Sequence, residues 1–65
     1  MMYTLKFRRF MKEEYEEYES IDDVCTVAWG MVEDNTAYPI ELLREDGSLV
    51  MTRDQMMDRG AYLNE

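Results

Sequence analysis

Met11 to Glu19 reads MKEEYEEYE, and the fold turns on whether this stretch coils or extends. Coiled, it sets Met11, Tyr15 and Tyr18 on one helical face, with Lys12 and Glu16 four residues apart. Extended, it returns from a turn near residues 11–13 and pairs with the segment before it. That segment, Tyr3-Thr4-Leu5-Lys6-Phe7-Arg8, alternates apolar and polar side chains, the period of a half-buried strand, and predicts a first strand at about 3–10. The extended reading is preferred, because Ser20 opens a separate helix and leaves little room for one ending at Glu19. A hairpin also sets Lys6, Arg8, Arg9 and Lys12 beside Glu13, Glu14, Glu16, Glu17 and Glu19, so that opposite charges face across the ladder.

Beyond this hairpin the local signals are clearer. Ser20-Ile21-Asp22-Asp23 places a hydroxyl at an N-cap and carboxylates in the first helical turn, where free N–H groups and the helix dipole favour them. The helix is predicted from 21 to about 34, with Ile21, Val24, Cys25, Ala28 and Val32 as its apolar stripe, Trp29 and Met31 flanking it, and Asn35 ending it. Tyr38-Pro39-Ile40-Glu41-Leu42 alternates again, with Tyr38, Ile40 and Leu42 sharing a face. Pro39 lacks a ladder donor, so the strand starts there or has that side on an edge. Glu45-Asp46-Gly47-Ser48 reads as a turn and Leu49-Val50-Met51 as the returning strand. Thr52-Arg53-Asp54-Gln55 matches a capping box, and a short helix is predicted to about Arg59, where Gly60 stops it. The remaining AYLNE is a tail that docks through Tyr62 and Leu63. The order β-β-α-β-β-α predicts an α+β fold in which a small antiparallel sheet of about four strands packs against one main helix.

Composition narrows the function classes. Sixty-five residues make one small domain whose stability is marginal and which gains from a partner. One cysteine and no histidine leave neither an internal disulfide nor a Cys/His zinc site, and a lone thiol suits a reducing, cytoplasmic setting. Export and membrane insertion are not expected: no apolar run approaches the ~20 residues of a bilayer span, and the first residues intersperse basic with apolar side chains. A net charge of −8 repels phosphate backbones and anionic lipid, which disfavours direct nucleic acid binding. An apolar content of 46% is too high for a disordered acidic tail.

Catalysis finds little to work with. No histidine supplies a base near neutral pH, and Cys25 falls on the apolar stripe, where a structural thiol is expected. The three isolated glycines match neither phosphate-loop pattern, so no cofactor is expected. Metal binding would rest on carboxylates alone, such as Asp22 with Asp23, or Glu45 with Asp46, and Asp46-Gly47-Ser48 is better read as a turn than as part of a calcium loop.

The candidate site is therefore a partner-binding one. Residues 13–23 hold seven acids in eleven positions, among them Glu13, Glu14, Glu16 and Glu17, with Tyr15 and Tyr18 interleaved. Three readings stay open: a solvated face, steering toward a basic protein, and imitation of a nucleic acid backbone in a basic groove. On the helical projection Gly30 points away from the core, and a helix-interior glycine costs ~1 kcal/mol relative to Ala, often offset by close approach of another backbone. With Val27 and Trp29 beside it, this outer surface is a candidate contact for a partner or a second copy; its alternatives are an early helix break or a tolerated cost. Met56 and Met57 are adjacent and cannot both face one core, so one of them is a further contact candidate.

ESIDDV followed by a helix, then AYPIELLREDGSLVMTRDQM, resembles short reading frames of phages and prophages of Gram-positive bacteria. The matching positions are Ser20, Asp22, Asp23, Ala37, Tyr38 and Pro39, within about residues 3–57. They are caps and turns, so the resemblance speaks to fold and carries over no functional residue. It implies a small accessory protein of a mobile element, of a kind that often binds and inhibits a host defence or replication enzyme. The expectation is a non-enzymatic inhibitor or modulator of a larger, basic-surfaced bacterial protein, with a self-associating homodimer and an acidic nucleic acid mimic as alternatives.

Overall fold

The computed structural model describes residues 1–64. Its elements are β1 (Tyr3–Arg9), β2 (Lys12–Tyr18), α1 (Ile21–Asp34), β3 (Tyr38–Arg44), β4 (Leu49–Thr52) and α2 (Arg53–Leu63). The fold is α+β, with the four strands in one antiparallel sheet of order β2-β1-β3-β4. Leu5, Phe7 and Leu42 from the sheet, Val24, Cys25 and Ala28 from α1, and Met56 from α2 form one buried cluster, so both helices cover the same sheet face.

MKEEYEEYE is extended. β1 ends at Arg9 and β2 begins at Lys12, leaving a two-residue turn of Phe10 and Met11 with φ of 54° and 63°. Positive φ at both central positions is the pattern of a type I′ hairpin turn, whose twist matches that of the flanking strands. The turn thus comes a residue or two earlier than residues 11–13. The register pairs Tyr3 with Tyr18, Lys6 with Tyr15 and Arg8 with Glu13. Tyr3 and Tyr18 consequently lie on the helix side, where both pack against the core, while Lys6 and Tyr15 face outward.

The cap of α1 follows its sequence: the Ser20 hydroxyl accepts from the Asp23 N–H at 3.0 Å, and Asn35 takes the left-handed conformation with φ of 56°. The stripe needs one correction. Val32 is 44% exposed, whereas Met31 and Val27 pack against the cluster. α1 packs against both the sheet and α2, and Val32 in its last turn is left outside the buried set.

β3 departs from strict alternation. Its pairing with β1 steps from Lys6–Glu41 to Phe7–Pro39, which leaves Ile40 as an extra residue in a bulge. Pro39 and Leu42 are buried and Tyr38 is half exposed, so Tyr38, Ile40 and Leu42 do not share a face as alternation predicts. β4 pairs only with Glu41–Leu43, so Pro39 lies where β3 has no neighbour on that side, in keeping with the rule for proline in sheets. The 45–48 turn forms as expected, with Gly47 at φ 89°.

The capping box of α2 is complete: Thr52 accepts from the Gln55 N–H, and Gln55 accepts from the Thr52 N–H. The helix does not stop at Arg59. It runs through Gly60 to Leu63, because Gly60 is the point at which α2 crosses α1. A Cβ there would lie 2.5 Å from Trp29 Cβ and 2.6 Å from the Cys25 carbonyl oxygen, closer than any side chain fits. The segment read as a tail is therefore helical at Ala61–Leu63, with Leu63 against the core and Tyr62 exposed, while Glu65 lies outside the described residues.

Candidate functional site

The acidic tract divides into paired and unpaired halves. Strand geometry sends neighbouring side chains to opposite faces, so its acids do not form one continuous patch. On the tip side, Lys6 Nζ lies 3.5 Å from Glu13, and Arg9 donates twice to Glu14 at 3.0 and 3.3 Å. Toward the helix, Glu16, Glu17 and Glu19 have no basic side chain within 4 Å among the described residues. Glu16 instead accepts from the Tyr18 hydroxyl at 2.6 Å. Burial, then that hydrogen bond and the charge of Glu16, push the Tyr18 phenol up to about 12. Tyr15 is exposed beside Lys6 on the open sheet face, where Glu41 sits on the other side of the same lysine.

A Cβ on Gly30 would meet nothing within 4 Å, so the glycine does face outward. Val27 packs partly against the core, and Trp29 lies against Gly60 of α2 through its Cβ and Cγ. Both are partly buried. Met56 is fully buried, and Met57 is partly buried against the core with part of its surface open. α1 contacts both the sheet and α2, so its buried side is wider than a single stripe.

Cys25 has the environment of a structural thiol. It is fully buried, its Sγ donates weakly to Met51 Sδ at 3.6 Å, and burial pushes its pKa up, with Asp22 adding to the effect and Arg59 opposing it. Asp22 holds Arg59 through two contacts at 3.0 and 3.3 Å, tying the start of α1 to α2. Asp46 accepts from both the N–H and the hydroxyl of Ser48, at 2.9 and 2.7 Å, which hold its carboxyl below its ordinary range. Each has a structural task where it stands.

One feature escaped the sequence reading. Phe10 and Met11 form the β1–β2 tip, 92% and 96% exposed, the most exposed large apolar side chains described. Arg8 and Lys12 flank them with no carboxylate within 4 Å among the described residues, and with Met11 and Glu13 they line a shallow depression. The available signal was the two-residue gap between strands that a tight hairpin requires; the sequence lacks the Asn-Gly that announces one. No family model matches the chain, and comparison with curated proteins and with solved structures yields no match. Among the described residues no helix is long and apolar enough to cross a membrane.

Proposed function

We propose that the chain is a non-enzymatic protein-binding module, an accessory protein of a phage or other mobile element, that occupies and inhibits a larger bacterial protein in the cytoplasm. The observation that carries the reading is the polarity of the first hairpin. Among the described residues, Glu16, Glu17 and Glu19, with no basic side chain within 4 Å, lie at one end, and two bare apolar side chains beside Arg8 and Lys12, with no carboxylate within 4 Å, lie at the other. Exposed aromatic residues and methionine are enriched in protein interfaces, and a charge pattern beside them steers and orients encounter. Those acids favour a basic surface on the partner. A phosphate mimic is less well supported, because Lys6 and Arg9 offset Glu13 and Glu14 at the near end of the tract.

The test is recovery of a nearly stoichiometric complex on a tagged full chain from lysate of the organism that encodes it. The partner is expected to stay bound at low and moderate salt. Recovery of the chain alone under both conditions rejects the reading, and release of the partner by DNA turns it toward mimicry. A second reading, a homodimer through the outer surface of α1, is favoured by the open space in front of Gly30, which lets another backbone approach closely. Light scattering across a dilution series decides it, a strict monomer excluding the dimer.

A further inference from the structure

A type I′ turn asks for residues that tolerate positive φ, which is why Asn-Gly dominates it. Here a Phe and a Met hold φ of 54° and 63°, and neither gains burial in return. Strained backbone of this kind persists where the surroundings over-determine it and is concentrated at functional elements. The ladder supplies that determination, with Arg9 paired to Lys12 directly beneath the turn. The two side chains are therefore presented on a stiff support, so that binding orders little beyond their own rotamers.

The geometry points to the β1–β2 tip as the element that enters the partner, with Phe10 and Met11 filling an apolar pocket whose mouth carries carboxylates facing Arg8 and Lys12. This rests on the protein-binding reading and names the contact it uses. The chemistry of the occupant follows from shape and charge together. Four of the seven basic residues lie within 6–12, while the chain as a whole carries −8. Glu13 pairs across the ladder with Arg8 and, with Glu14, follows Lys12 directly, so a flat anionic surface such as a bilayer or a nucleic acid meets acidic side chains within about one Debye length of the tip. A pocket admits the tip alone. An acidic mouth complements the two cations that have no carboxylate within 4 Å among the described residues, and a basic patch alongside the open sheet face meets Glu17.

The experiment uses the tagged full chain, a Phe10→Asn/Met11→Gly variant and an Arg8→Glu/Lys12→Glu variant on the same lysate. A photo-crosslinking phenylalanine analogue is placed at position 10 or, as control, at Tyr62, and circular dichroism confirms that each variant is folded. The expected result is a loss of the captured protein by roughly tenfold or more in affinity for both variants. Crosslinks from position 10 are then expected on a partner segment that combines apolar residues with Asp or Glu. Equal capture by the Asn-Gly variant, or crosslinks from Tyr62 alone, overturns the tip while leaving the protein-binding reading intact. Capture of nothing by the unsubstituted chain removes both. Sedimentation of that chain, but not the Asn-Gly variant, with phosphatidylserine vesicles overturns the pocket and assigns the tip to a membrane.

Discussion

A Cβ at Gly60 would lie 2.5 Å from Trp29 Cβ, whereas one at Gly30 would meet nothing within 4 Å. The two glycines thus have opposite meanings in the same kind of element. Gly60→Ala forces the helices apart and is expected to destabilise the fold by about 1–3 kcal/mol or more. Gly30→Ala relieves helix entropy without a clash and is expected to stabilise by about 1 kcal/mol. Urea unfolding of both variants measures the contrast, and equal effects would remove the assignment of Gly60 to the helix crossing. Tyr18 carries a pH consequence. Its phenol is raised from 10.0 to about 12 in the folded chain, so the folded state holds the proton more tightly than the unfolded one. The resulting stability is complete below pH 10 and is lost as pH rises toward 12. Stability is expected to fall across that window, and less steeply in Tyr18→Phe; absorbance titration of the tyrosines alongside unfolding curves checks both.

Turn chemistry explains the element scale. Helix caps were legible because they depend on residues adjacent in sequence: Ser20 with Asp23, Thr52 with Gln55, and Asn35 at positive φ. The Phe10-Met11 turn was not, because its residues lack the usual preference for the conformation they adopt. Replacing them by Asn-Gly is expected to raise stability by about 1–3 kcal/mol, read as a higher urea midpoint at unchanged slope. A lower midpoint would show that these side chains support the fold instead of straining it. The bulge at Ile40 belongs to the same scale. Alternation set Tyr38 with Leu42, but one extra residue placed Tyr38 outside and Pro39 inside.

For the whole molecule, the sheet order makes β2 an edge strand, and this gives its acids a role besides partner recognition. Charges on an edge oppose pairing with another copy. Glu13→Thr/Glu16→Thr/Glu17→Thr is expected to promote association, seen as a mean mass rising with concentration in light scattering. A mass curve matching that of the unsubstituted chain would remove the edge role. Both helix starts and the β3–β4 hairpin were determined by the sequence itself, since periodicity and caps are local properties; the first hairpin was only the preferred of two readings. The tertiary structure decided what depends on distant partners. It buried Met56, set Trp29 against Gly60, turned Val32 outward, and left Glu16 and Glu17 with no basic side chain within 4 Å among the described residues while giving cations to Glu13 and Glu14. Each of these outcomes requires knowing which surface lies across the gap, and a one-dimensional pattern records only the spacing along its own chain.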